Sequence, residues 1–230
     1  MAKIKEKWKL ILLCIMAIVS MILLLNQPIK EALIHSFKPE ISATSLQKDD
    51  KGQGKYEYGQ VKRLTMSNIA AARANAKNIR IIGVICIPKE NLTLPISKGI
   101  TNQNLALSAG TFREDMKMGQ GNYALAGHNM SNLGPKVLFS PLYYKGKIGQ
   151  KIYITNLKTI YEYKISQKKI ISKYDTGVVQ NTPNKIITLI TCDATGVNRL
   201  MVRGNYVKKI PYKKAPAEVQ KDLSEKFNVN

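Results

Sequence analysis

The chain opens on an unbroken apolar run, Leu10 to Leu25, preceded by Lys3, Lys5, Lys7 and Lys9. The run is a little shorter than the roughly 20 residues of a spanning helix. Trp8 suits a membrane interface, and lysine stems extend a span by snorkelling. The run exceeds an ordinary signal-peptide core, and "NQPIKEAL" after it offers no small-x-small cleavage site. The pattern predicts a retained transmembrane helix, with the lysines on the cytoplasmic side and the rest of the chain outside. Residues 27–75 sustain no period. "KEALIHSF" fits a short helix at the membrane surface, and "ATSLQKDDKGQGKYEYGQ" a flexible spacer. "TMSNIAAARANAKN" has alanine-rich helix chemistry with Ser67 as its N-cap.

From Arg80 the texture becomes β. "RIIGVICIP", "LTLPIS", "NYALAGHN", "QKIYITN", "TIYEYKIS", "KIITLITC" and "RLMVRGNYVKKI" are short runs rich in Ile, Val, Thr and Tyr, separated by turn residues. The spacing predicts an all-β fold, a closed barrel or a sandwich, with short helical turns such as "NQNLALS". The tail "APAEVQKDLSEKFNVN" fits a terminal helix or a disordered end. No internal repeat is visible. The expected division is an anchor with its basic flank at 1–26, a spacer at 27–75, the β domain at 76–215 and a tail at 216–230.

Composition adds a compartment. The formal net charge of the 230 residues is +21, a balance that first suggests nucleic acid as partner. An exported chain instead meets anionic lipid heads and wall polymers. The lysines between 145 and 173 are interleaved with strand residues, as on solvated strand faces, and no nucleic-acid motif is present. There are three cysteines, too few for an even disulfide framework despite the exported location. Cys14 belongs to the membrane run and Cys86 to a core strand. Cys192 alone has polar and cationic neighbours in sequence.

In "KIITLITC", Ile186, Thr188, Ile190 and Cys192 share one strand face, and Ile187, Leu189 and Thr191 the other. "DATGVN" reads as a turn in which Gly196 is free to take positive φ, and "RLMVRGNYV" as the return strand. Antiparallel pairing brings Cys192 and Arg199 to one rim of the sheet, with the register left to decide whether they share a face. A thiolate is a nucleophile that a nearby cation favours. A guanidinium donates to a carbonyl oxygen as charge builds on it. The missing part is a group to protonate a leaving amine, usually histidine. Of two histidines, His35 falls in the spacer, while His128 ends the strand "NYALAGHNM". One Cys and one His fall short of a zinc site, so no metal is expected.

"TLITC" at Thr188–Cys192 matches the Thr-Leu-x-Thr-Cys signature of sortases, and "RLMV" the arginine-led strand that follows it. "ALAGHN" resembles the family's strand-end histidine motif, and "IGVICIPKENLTLPI" the paired first strands of class A sortases. The resemblance runs from about Ile82 to Val207, with an N-terminal anchor as in that class. It implies an eight-stranded β-barrel and a membrane-anchored cysteine transpeptidase of Gram-positive bacteria. Such an enzyme cuts surface proteins between Thr and Gly of a Leu-Pro-x-Thr-Gly sorting signal. The acyl group then passes to an amine of the lipid-linked peptidoglycan precursor. By motif, Cys192 would be the nucleophile, His128 the general acid and base, and Arg199 the oxyanion and substrate group, with Arg203 as a rival. The resemblance also implies substrate contacts at Val178 and Val179, groove-lining roles for Ala126 and Ile190, and an oxyanion-site role for Thr191. Some class A enzymes use calcium. Here "TFREDMKMGQGNY" offers only Glu114 and Asp115, and "VVQNTPNKI" no carboxylate, so calcium activation is not expected. The alternatives are a hydrolytic cysteine peptidase on the same fold and a non-catalytic anchored binding barrel.

Overall fold

The computed structural model describes residues 2–130, 136–224 and 228–229. Helix α1 (Ala2–His35) is continuous through Pro28, so the anchor and the "KEALIHSF" segment form one element. At 1.5 Å per residue it is about 50 Å long, more than a hydrocarbon core of about 30 Å. Its side chains from Leu10 to Leu25 are exposed, an apolar surface suited to lipid, and the span is long and apolar enough to cross a membrane. Cys14 lies on that surface.

The helix does not end in a loose tether. Ile34 and Phe37 bury into a core shared with Ile69 and Ala72 of α3 (Met66–Ala74). The Arg73 guanidinium sits 5.6 Å over the Phe37 ring. Helix α3 is capped by Thr65, whose extended backbone lets its hydroxyl accept from the Asn68 N–H; the Ser67 expected as cap lies one residue inside the helix. The stretch read as a flexible spacer also has structure. Ser42 and Ser45 form a reciprocal capping box that starts α2 (Ala43–Lys51), and Leu46 is 1% exposed. Asp49 accepts from the Ile81 N–H at 3.1 Å, and Lys55–Tyr56 pairs with Gly99–Ile100. The spacing of its few apolar residues, Ile41, Leu46, Leu64 and Ile69, becomes meaningful only once a wall exists for them to pack on.

That wall is a closed eight-stranded barrel. Its strands are β1 (Ile81–Ile87), β2 (Leu92–Ser97), β3 (Ala109–Thr111), β4 (Asn122–Ala126), β5 (Lys151–Thr155), β6 (Thr159–Ile171), β7 (Ile186–Cys192) and β8 (Arg199–Pro211). The order around the barrel is β7-β8-β6-β5-β1-β2-β3-β4, with β4 parallel to β7 at the closure. Seven of these strands coincide with the sequence-predicted runs. The eighth, β3, is three residues of Ala-Gly-Thr and has no pattern of its own. It exists because Ile96–Ser97 and Leu125–Ala126 flank it with unpaired edges. Helix α4 (Asn102–Leu107), capped by Thr101, precedes it.

Inward side chains such as Tyr123, Leu125, Ile154, Tyr163, Leu189 and Val202 fill the interior. The barrel is packed rather than hollow. A second core lies outside the wall, where Val84, Cys86 and Ile160 meet the N-terminal helices and Leu223 of α5 (Ala217–Ser224). Cys86 is thus a core residue, 1% exposed, with the Thr93 hydroxyl 3.4 Å from its sulfur. Of the tail, 217–224 is helical and Asn228–Val229 pairs with Glu40–Ile41.

Because α2 belongs to this second core, Leu46→Ala should destabilise the whole domain by about 2–4 kcal/mol. Chemical denaturation of the detergent-solubilised chain would show an unshifted midpoint if the segment were merely a tether.

Candidate active site

The hairpin β7–β8 turns through Asp193–Asn198, with Gly196 at φ +78° and the Thr195 hydroxyl donating to Asp193 Oδ1 at 2.9 Å. In the resulting register Cys192 lies directly opposite Arg199. The Asp193 N–H donates to Asn198 O, so the next pair inward, Cys192 and Arg199, is of the non-hydrogen-bonded kind. Such pairs hold their Cα atoms about 4.5 Å apart with side chains on one face. The question left open by sequence is therefore answered: thiol and guanidinium share a face, and Cys192 is a partly exposed free thiol. Arg199 Nη1 donates to the turn carbonyls of Gly196 (3.3 Å) and Asn198 (3.0 Å), which steadies the guanidinium at the rim.

His128 reaches the same rim from the other side of β7. The parallel pairing ends at Ala126 opposite Ile190, and the Gly127 N–H donates to Ile190 O at 3.1 Å. Two residues further along each strand stand His128 and Cys192. The rung that would follow is made by a side chain: Asn129 Nδ2 donates to Cys192 O at 2.9 Å. The loop after β4 is thereby tied to the backbone of the thiol residue. Gly127 is needed for close approach, since a Cβ there would stand 2.5 Å from the Phe139 ring. Phe139 in turn donates its N–H to His128 O at 3.0 Å. The imidazole is 9% exposed and its Nε2 is buried without a partner. Burial alone lowers its pKa to about 4, so it is neutral at physiological pH.

The face that carries Cys192 points away from the barrel interior. Ile190 joins Ile171 and Met201 in a small apolar cluster against which Val178, Val179 and Phe112 pack. Ala126 joins Ile100 and Leu105 in a neighbouring cluster, also against Phe112. Four sequence-predicted positions, Ala126, Ile190, Val178 and Val179, thus fall in two neighbouring apolar clusters joined through Phe112. Thr191 lies on the opposite strand face, 1% exposed, with its hydroxyl unpartnered. Arg203 opposes Thr188, further down the strand pair. Its Nε donates to the Thr188 hydroxyl at 3.3 Å and its Nη2 to Val178 O at 3.0 Å. Glu114 is held by Lys98 at 3.1 Å and by the Gly54 N–H, and Asp115 by Arg113. Among the described residues no cluster of three or more His, Cys, Asp or Glu is placed to hold a metal ion.

Sequence reasoning passed over Phe112, Arg113, Asn122 and Asn129. Phe112 and Arg113 sit just past the patternless strand β3, and nothing in their spacing marks them. Asn122 and Asn129 bracket the strand "YALAGH", and polar residues in those places read as ordinary strand ends.

A closed barrel with a thiol, an imidazole and a guanidinium gathered on one outer wall has the layout of a cysteine acyl-transfer enzyme. The family model "Sortase domain" matches residues 85–207. Sortase A of Streptococcus agalactiae serotype III (strain NEM316) is 34% identical over 96% of this chain and 93% of its own length. Sortase A of Listeria monocytogenes serovar 1/2a (strain EGD-e) is 33% identical over 78% of this chain and 82% of its own. The solved structure of Listeria monocytogenes sortase A superposes with a TM-score of 0.56 at 36% identity, covering 61% of this chain and 94% of that one. The chain belongs to the sortase family of cysteine transpeptidases.

Two buried groups give the domain opposed pH responses. His128, lowered to about 4 from 6.5, contributes stability that is complete above pH 6.5 and lost as pH falls toward 4. Glu90, 1% exposed and unpartnered, is pushed by burial from 4.5 to about 7; its contribution is complete below pH 4.5 and lost as pH rises toward 7. Each amounts to about 3 kcal/mol. Between pH 6.5 and 4.5 the two nearly offset each other, so Glu90→Gln should make stability fall as pH falls, and His128→Gln should make it rise. Urea denaturation across this range measures both.

Proposed function

We propose that this sortase acts as a class A enzyme, cleaving a Leu-Pro-x-Thr-Gly sorting signal between Thr and Gly. It passes the surface protein to an amine of the lipid-linked peptidoglycan precursor. The observation that carries the reading is the pair of registers flanking Cys192: Arg199 opposite it on β8, and His128 two residues beyond the last β4–β7 rung. Helix α1 anchors the chain with its N-terminus in the cytoplasm and the barrel outside, as its basic N-terminal flank favours.

Cys192 Sγ attacks the Thr carbonyl carbon while its proton passes to the imidazole of His128, which is neutral before the attack. The carbonyl oxygen gains negative charge and receives N–H donors from Arg199. Collapse breaks the C–N bond. The imidazolium gives its proton to the departing glycine amine, leaving a thioester. The acceptor amine then attacks the thioester carbon and loses a proton to His128. The C–S bond breaks, and the thiolate recovers that proton as the new amide is released. The trough of Ala126, Ile190, Val178 and Val179 would take the apolar Leu-Pro end. Calcium has no part in this scheme, because the candidate carboxylates Glu114 and Asp115 are already held by cationic side chains.

With a fluorogenic sorting-signal peptide, Cys192→Ala should abolish the thioacyl adduct seen by intact mass. Arg199→Ala should lower kcat about 10²–10³-fold, and Arg199→Lys should not restore it, since an ammonium lacks the planar fork. Full cleavage by Arg199→Ala would remove the proposed role. A glycine-based amine should convert the product from acid to amide, whereas acid alone would indicate a hydrolase. Chelation by EDTA should leave the rate unchanged.

A further inference from the structure

The connection between β6 and β7, residues 172–185, carries two walls of the trough, yet no strand pairs with it. Internally it has only short-range bonds, such as the Gln180 N–H to Gly177 O at 3.2 Å. Besides the Tyr206 N–H to Lys185 O bond at its end (3.1 Å) and the Asn122 N–H to Asn181 Oδ1 bond (3.3 Å), what ties it to the barrel is a set of side-chain donors aimed at three consecutive carbonyls. Val178 O accepts from Asn122 Nδ2 (2.9 Å) and from Arg203 Nη2 (3.0 Å). Val179 O accepts from Arg113 Nη1. Gln180 O accepts from Asn122 Nδ2 at 2.9 Å.

Asn122 stands at the centre. It is 1% exposed at the head of β4, and both N–H groups of its amide go to the loop. Its Oδ1 accepts from the Thr188 hydroxyl at 2.8 Å, which fixes which end of the amide faces the carbonyls. Its backbone carbonyl accepts from Arg113 Nη2 at 3.1 Å, and Thr188 Oγ1 accepts from Arg203 Nε at 3.3 Å. The donors come from strands β4 and β8 and from the segment just past β3, and they bind one another as well as the loop. A network whose members satisfy one another is rigid, while removing one donor leaves a partly buried carbonyl without its partner.

We infer that Asn122, with Arg113 and Arg203, forms a cradle that sets the Val178–Val179 turn in place before any substrate arrives. These are specificity-determining positioning residues: they act through the loop on the residues that dock under it, not on the thiol. Arg203 thereby has a task distinct from that of Arg199. The inference rests on the proposed reading of the trough as the sorting-signal site only for its kinetic consequence; the preformed loop itself stands on the hydrogen bonds.

The test uses the full chain in detergent micelles or nanodiscs, with Asn122→Asp, Arg113→Gln and Arg203→Gln. Asn122→Asp keeps an acceptor for Thr188 and replaces both amide N–H donors by an ionisable oxygen facing the loop carbonyls. In wild type without peptide, the Gln180 amide should be protected from hydrogen exchange, and each variant should speed its exchange about tenfold or more. With signal peptide, KM should rise about tenfold while kcat is retained. Alkylation of Cys192 by iodoacetamide, which needs no trough, should be unchanged. Should Asn122→Asp fail to fold, the two arginine variants carry the same comparison. Rapid exchange in wild type without peptide, or variants with unaltered exchange and KM, would overturn the cradle. A wild type that ignores the peptide but protects the loop would overturn the substrate reading and leave the cradle standing.

Discussion

The parallel pairing of β4 with β7 is the constraint on which the site depends. These strands lie far apart in sequence, and their rungs run from Asn122–Ile186 to Ala126–Ile190. They close the barrel, and they place the ends of both strands at one rim. Parallel strands end on the same side, so the residues just beyond them become neighbours without any loop having to reach. His128 and Cys192 are those residues. A one-residue slip of this register would move one of them to the interior face, among Tyr123 and Leu189. The interior cannot accommodate such a slip because it is already filled.

That filling also explains where the chemistry sits. With aromatic and branched side chains occupying the barrel, a peptide has no room inside, and the usable surface is the outer wall. An outer wall normally faces water, which would keep a thiol and an imidazole solvated. Here the wall is covered piecemeal, by Val178 and Val179 of the 172–185 connection and by Phe112, while the Phe139 segment is hydrogen-bonded to the His128 backbone.

Much of this was legible beforehand, and what was not has a common cause. The seven long strands, the Cys192 hairpin and its Gly196 turn follow from alternation and turn chemistry, which are local. The histidine emerged by elimination, since the chain has so few. Strand β3 was invisible because its residues have no β pattern and pair only with neighbours already in place. The 27–75 segment looked like a spacer because polar residues dominate it, yet Leu46 and Ile41 bury against the outer wall. Its order is borrowed from the barrel. Asn122, Asn129 and Arg113 were missed for the same reason, as each bonds a carbonyl remote in sequence.

The polar residues around the trough fall into two groups by what they bond. Arg199 donates to the turn beside it and faces the thiol. Asn129 crosses to the carbonyl of Cys192 and continues a ladder its own backbone has left. Both act at the rim that carries Cys192. Asn122, Arg113 and Arg203 donate instead to the loop carbonyls further down the wall. One scaffold therefore separates the bonds that hold the Cys192 rim from the bonds that hold the 172–185 connection, and the two sets share no hydrogen bond among the described residues. On the proposed function, such a separation lets the recognition surface be reshaped without a change in the hydrogen bonds that hold the thiol's rim.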